Sequence, residues 1–310
     1  MIKIDLSSEQ KNEIIELMST DIHKKLFPAL IEFSQTILKA ENFNNIAELI
    51  NTEEKVKKIC LLDSKHKLIS CINQFESAIS KDSISTGKSK IDITNILYNA
   101  YKDIYENFSG RNVAYKILKV MNVNVCPYCN RLYTFTIEQK TRPEFDHYFP
   151  KKKYPYLAVS IYNLVPSCGL CNKGKSEKEP DFILYPFEES FEDKGIHFDV
   201  QNTVPCLLGD KDSIIVKLEP YYDNIKIIDT YKDKFKIEDI YNQHSDYIIE
   251  LLTKRQIFNK DMIDSLYCSY SEFFNSPDAV KQLVLGSYES DKYGQRPLSK
   301  LTRDILKQLN

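Results

Sequence analysis

The chain lacks a long hydrophobic run and an excess of basic residues, and each absence excludes a class of protein. None of its 310 residues lies in an apolar stretch of the roughly 18 residues that a membrane-spanning helix needs. The formal net charge is −2 and the isoelectric point is near 6.3, which excludes a protein that binds nucleic acid over its whole surface. Any nucleic-acid binding therefore requires a local basic patch.

Two short signals are missing as well. The first residues, Met1-Ile-Lys-Ile-Asp5, are not a basic segment followed by an apolar run, as a secretory signal would be. We therefore expect a cytoplasmic protein that does not associate with membranes. Gly87-Lys88-Ser89 resembles the end of a phosphate-binding loop, but position 82 is Asp where that motif requires Gly. Nucleotide binding is not expected at this segment.

The cysteines divide into two groups. Four of the eight form two C-x-x-C pairs, Cys126-Pro-Tyr-Cys129 and Cys168-Gly-Leu-Cys171. The other four are scattered among apolar neighbours, as buried thiols usually are: Cys60, Cys71, Cys206 and Cys268. Without a secretory signal, this distribution favours reduced thiols in the cytoplasm over the disulfide framework of a secreted protein.

The paired cysteines predict a structural zinc site formed by Cys126, Cys129, Cys168 and Cys171. Two C-x-x-C turns place four thiolates around one ion and leave no open position for water, so the zinc would stabilise the fold without taking part in catalysis. The alternative is four reduced cysteines paired by chance. The 38 residues between the pairs exceed the spacing of common zinc ribbons, which indicates a functional insert.

The insert carries the residue types that phosphodiester hydrolysis needs. His147 titrates near neutrality and is suited to deprotonate a water. Asp146 and Asn172 offer oxygen ligands that Mg²⁺ or Mn²⁺ prefers, and Asn163 is suited to orient the imidazole. Taken alone, a histidine in an aromatic strand such as Glu144–Phe149 is more often a core residue. The position of His147 beside an aspartate, in the insert between the two C-x-x-C pairs, favours a catalytic role.

These residues resemble the HNH endonuclease family, whose ββα-metal fold is pinned in many members by two C-x-x-C pairs. The resemblance covers residues 126–178 and implies roles by position: His147 as general base, Asp146 as metal ligand on the first strand, Asn163 as the orienting residue and Asn172 as the metal ligand on the helix. The usual final residue is His, and an Asn in its place makes a weaker ligand.

A second resemblance concerns longer sequence segments, which include Asp146-His-Tyr-Phe-Pro-Lys151 and Cys171-Asn-Lys-Gly-Lys175. They are similar to HNH proteins of bacterial anti-phage systems, notably the nuclease subunit of Septu-type systems. That subunit works with an ATPase encoded beside it. The resemblance implies a DNA-cleaving defence effector with an ATPase partner. The alternative is a zinc-stabilised module that binds nucleic acid or protein without cleaving.

A basic patch accompanies the motif. Residues 140–178 contain eight Lys or Arg residues against three Asp or Glu residues. Five of these cations are candidates for contacts to the phosphate backbone: Lys151, Lys152, Lys153, Lys173 and Lys175. The alternative for the run 151–153 is an ordinary solvated loop.

The fold class predicted from these patterns is mainly α, with a small α+β insert that forms the ββα core. We predict a helical N-terminal region at 1–121, the nuclease core with its zinc knuckles at 122–180, and a mixed, then helical, C-terminal region at 181–310. Within these regions, Ser7–Gln10 resembles a capping box at the start of a helix, the polar segment 81–90 is predicted to be a loop, and helix is predicted from about 239 to 274. Short strands are predicted at 132–137, 144–149, 196–200, 214–218 and 225–228. Pro297–Leu309 is predicted to form an amphipathic helix with Leu298, Leu301, Ile305 and Leu309 on one face. The helical flanks are predicted to dock a protein partner that controls the nuclease.

Overall fold

The computed structural model describes residues 1–18, 23–109, 112–208, 210 and 213–308. These residues form a mainly helical protein with two small antiparallel sheets and a buried cluster of four cysteines, which confirms the predicted fold class. No helix among them has both the length and the apolar composition needed to cross a membrane.

The region before residue 122 is helical, as predicted. Its helices are α1 (Ser8–Leu17), α2 (His23–Phe33), α3 (Asn44–Leu49), α4 (Glu53–Cys60), α5 (Lys65–Thr86), α6 (Lys90–Ser109) and α7 (Asn112–Met121), with a π-helical turn at Ser34–Leu38 after α2. Helix α1 starts at a capping box, because Ser7 and Gln10 each accept a hydrogen bond from the other's backbone N–H. This start was predicted from the sequence.

The polar segment 81–90, predicted to be a loop, continues α5 as far as Thr86. The helix persists because the buried carboxylate of Asp82 accepts hydrogen bonds from the backbone N–H groups of Asn45 and Ile46 at the start of α3. Gly87 then ends α5 with a φ of 74°, a backbone conformation that glycine adopts without strain. This glycine terminates a helix, so the likeness to a phosphate-binding loop is superficial.

The middle region forms a strand–strand–helix unit. Strand β1 (Glu144–His147) pairs antiparallel with β2 (Leu164–Ser167), with Glu144 opposite Ser167 and His147 opposite Leu164. Helix α8 (Gly169–Lys175) follows β2 directly. Between the strands, the chain makes short 3-10 turns at Pro155–Leu157 and Ile161–Asn163. The segment 132–137, predicted as a strand, makes only isolated bridges and is not one.

The region after residue 180 is mixed and then helical, as predicted. It contains β3 (Ile196–Gln201), α9 (Thr203–Leu207), β4 (Ile215–Pro220), α10 (Ile225–Phe235), α11 (Ile237–Asn242), α12 (Ser245–Ile257), α13 (Lys260–Ser269), α14 (Pro277–Leu285) and α15 (Ser299–Gln308), with a 3-10 turn at Ser290–Gln295. Strand β3 pairs antiparallel with β4. The expected helix 239–274 is divided among α11, α12 and α13.

A strand predicted at 225–228 is wrong, since these residues begin α10. Ile228, Tyr231 and Phe235 are buried at helical spacing, so burial of one helix face decides the conformation. The amphipathic helix near the end of the chain is confirmed as α15, with Leu301 and Ile305 fully buried. Leu309, assigned to the same face, lies outside the described residues.

One hydrophobic core joins all three regions. Its buried members include residues of α5, β2 and α15 in a single continuous cluster. Helix α10 approaches α8 so closely that a Cβ at Gly174 would lie 2.4 Å from the carbonyl oxygen of Lys234. Glycine is therefore required where these helices meet. The domain boundaries at 121 and 180 stay a prediction.

Candidate zinc cluster and active site

The four paired cysteines come together in the interior. The sulfur atoms of Cys126, Cys129, Cys168 and Cys171 all lie within 4.8 Å of one another, and all four residues are buried. The sulfurs of Cys129 and Cys168 are 4.0 Å apart. Zn–S bonds of about 2.3 Å in a tetrahedron place sulfurs about 3.8 Å apart, so the set fits a structural zinc ion.

The first knuckle also anchors the C-terminal helix. Asn130, directly after Cys129, adopts a left-handed φ of 49° and is fully buried. Its side-chain oxygen accepts hydrogen bonds from the Ser299 hydroxyl and from the backbone N–H of Lys300, which caps the start of α15. In addition, the Tyr241 hydroxyl donates to the carbonyl oxygen of Cys129 at 2.6 Å. The zinc cluster therefore organises residues from the far end of the chain.

His147 ends β1 with its imidazole held in one orientation. Its Nε2 lies 3.0 Å from the carbonyl oxygen of Ala158. A carbonyl oxygen only accepts, so Nε2 carries the hydrogen and Nδ1 keeps its lone pair. The Tyr105 ring of α6 packs edge-on against the imidazole at 4.6 Å between centroids. This burial lowers the pKa of His147 to about 3, so the ring is neutral at ordinary pH.

Asn163 does not orient His147 by direct contact. Its side-chain oxygen accepts from the backbone N–H of Phe149, and its amide group donates to the carbonyl oxygens of Phe149 and Leu157. These bonds close the loop between the strands, and Leu157 immediately precedes the Ala158 carbonyl that holds the imidazole. A role for Asn163 in orienting the base stays a prediction, and the route it would take is through this loop.

Both carboxylate oxygens of Asp146 already have a side-chain partner. One carboxylate oxygen accepts a hydrogen bond from the Tyr128 hydroxyl at 2.7 Å, and the other lies 3.2 Å from Lys175 Nζ. Lys175 Nζ also donates to the backbone carbonyl of His147 at 2.6 Å. Burial raises the pKa of Asp146 and lowers that of Lys175, while each opposes the other's shift as an ion pair. Asp146 and Asn172 both contribute to the wall of one cavity but have different partners, and their predicted role as a pair of metal ligands stays a prediction.

The predicted DNA contact of Lys175 is wrong, because its side chain has 0% exposure and lies beneath the strand. The run 151–153 is placed at the surface or close to it. Lys152 pairs with Glu177 at 3.3 Å and Lys153 pairs with Glu179. Lys151 lies over the Tyr105 ring with Nζ 4.4 Å from its centroid. Lys173 is exposed on α8.

A cavity of about 400 Å³ opens beside His147. Asn172 and Glu144 contribute to its wall, and the Asn172 amide donates to a Glu144 carboxylate oxygen at 2.6 Å. Arg142 and Lys151 line the same cavity and add positive charge. Sequence reasoning missed Glu144, Arg142 and Tyr105. Glu144 and Arg142 stand within the motif segment, whereas no sequence signal connects Tyr105 to it.

Comparison with characterised proteins finds the Septu protein PtuB of Bacillus thuringiensis, which is 41% identical to this chain over 68 residues. The match covers 21% of this chain and 25% of PtuB, so it is a partial and distant similarity. No protein-family model matches the chain. No solved structure matches it either.

Removing one cysteine of the cluster should remove the zinc. We expect one zinc ion per chain, measured by elemental analysis, and a loss of metal together with lower thermal stability or solubility in Cys168→Ser, because metal binding contributes directly to folding. Cys268 is exposed and outside the cluster, so Cys268→Ser is the matched control and should keep its zinc. An equally stable, zinc-free Cys168→Ser protein would contradict the assignment.

The buried imidazole should make stability depend on pH. Because the pKa of His147 is lowered from 6.5 to about 3, the unfolded chain binds a proton between these values that the folded chain does not. Stability should therefore fall as pH falls through this window. In thermal denaturation at fixed zinc, His147→Gln should lose less stability than wild type on going from pH 7 to pH 5, values chosen within the linkage window. His66→Gln, at an exposed position, should behave like wild type.

Proposed function

We propose that the chain is an HNH-type endonuclease that hydrolyses phosphodiester bonds of DNA. The observation that carries this proposal is the state of His147. It is neutral, its Nε2–H is fixed on the Ala158 carbonyl, and it stands in the wall of a cavity that is also lined by three carboxylate residues, an amide and two cations. The cavity of about 400 Å³ leaves room for a phosphate group beside the imidazole.

The chemistry follows from the lone pair on Nδ1. In the proposed step, this nitrogen takes a proton from a water whose oxygen forms a new bond to phosphorus, and the bond from phosphorus to the leaving sugar oxygen breaks. Arg142 and Lys151 line the cavity and are suited to hold the phosphate anion. A divalent cation, when bound, would stabilise charge on the phosphate and on the leaving oxygen. Tyr105 and the loop closed by Asn163 keep the base in one orientation.

A defence role with a protein partner is proposed on the similarity to PtuB and on the size of the flanks. The similarity to a Septu protein supports membership of a multi-protein anti-phage system, in which an ATPase is the expected partner. The local excess of positive charge is small, eight cations against three anions in residues 140–178, and two of the surface lysines are paired with glutamates. Few free phosphate contacts mean weak DNA binding at physiological salt.

A second candidate is a zinc-stabilised binding module without cleavage activity. One observation favours it: both oxygens of Asp146, the carboxylate that the HNH pattern assigns to the catalytic metal, are engaged by Tyr128 and Lys175. A module of this kind would keep the zinc cluster and bind a partner, and it would leave plasmid DNA intact in Mg²⁺ or Mn²⁺.

Cleavage of supercoiled plasmid by the purified, zinc-loaded chain separates the two candidates. We expect nicking in Mg²⁺ or Mn²⁺ and none after brief treatment with EDTA. His147→Ala should keep its zinc and lose cleavage by about 10²-fold or more, because a general base contributes on that scale. His66→Ala, at an exposed histidine, should cleave like wild type. Equal cleavage by His147→Ala would show that His147 is not the base.

The partner should raise cleavage strongly. We expect weak, non-specific nicking by the isolated chain at about 150 mM salt, where the few phosphate contacts are screened, and a large gain when its proposed ATPase partner is added. Co-purification followed by the same plasmid assay measures both effects. If the isolated chain is already fully active and forms no stable complex, the partner proposal fails. In that case, the helical flanks would only enlarge the hydrophobic core around a small zinc domain.

A further inference from the structure

We propose that the divalent cation is held by Glu144 and Asn172, and that Asp146 acts as the buried counter-ion that positions the base through Lys175. The proposal rests on the nuclease function, because it assigns the metal site of that same cavity. It departs from the carry-over of the HNH pattern, which assigns the carboxylate next to the histidine to the metal.

Asp146 already has two partners in the interior. Its carboxylate is 2% exposed, and its two oxygens are satisfied by Tyr128 from the first zinc knuckle and by Lys175 from α8. Moving Asp146 to a cation would leave Lys175 as a fully buried ammonium without a counter-charge, which is among the costlier changes a protein interior can undergo. Asp146 also contributes to the wall of the cavity, so a cation that reached its carboxylate would have to displace Lys175 from a preformed ion pair.

Glu144 has the opposite character. It is exposed, it begins β1, and its carboxylate faces the cavity that contains His147. One of its oxygens accepts from the Asn172 amide at 2.6 Å, so the carbonyl oxygen of that amide remains as a neutral ligand beside an anionic one. Carboxylate and amide oxygens are the ligands that Mg²⁺ and Mn²⁺ prefer, and a cavity of about 400 Å³ has room for the waters that Mg²⁺ retains.

The backbone around Glu144 leaves space for this carboxylate. Gly169 opens α8, and a Cβ there would lie 3.0 Å from the second oxygen of Glu144. Any larger residue at position 169 would push the carboxylate away from its place between β1 and α8. The Glu144 carboxylate is therefore held between two residues of α8: Gly169, which has no side chain, and Asn172, one turn later, which donates a hydrogen bond to it.

Lys175 becomes a positioning residue on this assignment. Its Nζ bonds to the backbone carbonyl of His147 and pairs with Asp146, so it fixes the residue that carries the base while it touches neither the cation nor the cavity. Asp146 in turn is held by Tyr128, which stands between Cys126 and Cys129. The zinc knuckle is thereby connected to the backbone of His147 through two side chains.

Mn²⁺ binding to the full-length, zinc-loaded chain, followed by electron paramagnetic resonance without DNA, tests the assignment. Glu144→Gln should weaken Mn²⁺ affinity by about tenfold or more, and Asp146→Asn by less than about threefold, since even residues that only orient a metal ligand contribute 10-fold or more to affinity. The matched control is Glu177→Gln, an exposed carboxylate on the rim of the same cavity that pairs with Lys152. It should bind Mn²⁺ like wild type.

The opposite pattern, with Asp146→Asn abolishing Mn²⁺ binding and Glu144→Gln leaving it unchanged, would overturn the assignment. So would equal losses in Glu144→Gln and in the Glu177→Gln control. Should Asp146→Asn prove insoluble, the double variant Asp146→Asn/Lys175→Met removes both charges of the buried pair together, and it should still bind Mn²⁺.

A positioning role and a merely structural one differ in cleavage kinetics. Lys175→Met that retains zinc should lower kcat for plasmid nicking while its KM for DNA and its Mn²⁺ affinity stay near wild type. If Lys175→Met instead weakens Mn²⁺ binding as Glu144→Gln does, the division of roles is wrong. Mn²⁺ binding is measured without DNA, so the metal assignment can hold even if the chain does not cleave DNA. If the wild-type chain cleaves and Glu144→Gln binds Mn²⁺ like wild type, the metal assignment is wrong while the nuclease proposal stands.

Discussion

Four thiol groups gathered within 4.8 Å of one another hold together two chain segments that are separated by 38 residues. The knuckle at 126–129 precedes the strand–strand–helix unit, and the knuckle at 168–171 lies within it, where β2 passes into α8. Neither strand is long enough to be stable alone, since each has four residues and pairs only with the other. A metal ion bound to these sulfurs would replace the core that such a small unit cannot build.

The rest of the molecule is arranged around this cluster. Asn130 caps α15, and the Tyr241 hydroxyl of α11 reaches the carbonyl of Cys129. On the other side of the knuckle, the Tyr128 hydroxyl donates a hydrogen bond to Asp146, and Lys175 donates to the other oxygen of the same carboxylate. These bonds are short, buried and in part charged, and breaking any of them leaves a polar group without water. Regions far apart in sequence therefore share one rigid centre.

The four-cysteine cluster and the fold class could be predicted from the sequence, because C-x-x-C spacing and helical periodicity are local patterns. Residue type and position also pointed to His147 as a candidate site residue. Sequence reasoning could not assign the partners of Asp146 and Asn163. Those depend on which side of a four-residue strand faces the interior, and on a lysine that α8 brings underneath the strand. It also placed a strand at 225–228, where β-branched composition argued for one while burial of Ile228, Tyr231 and Phe235 at helical spacing decided for a helix.

Tyr105 gives the helical half a chemical role. The tyrosine belongs to α6 and stands 42 residues before His147 in the sequence; its ring packs edge-on against the imidazole and adds to the burial that keeps His147 neutral. Without α6, the imidazole would lose this ring contact and part of the burial that lowers its pKa. Transfer of the motif segment alone into another protein would carry the cysteines and His147 with it, but not the contact from Tyr105. The surroundings of His147 thus include a helix that carries none of the motif residues.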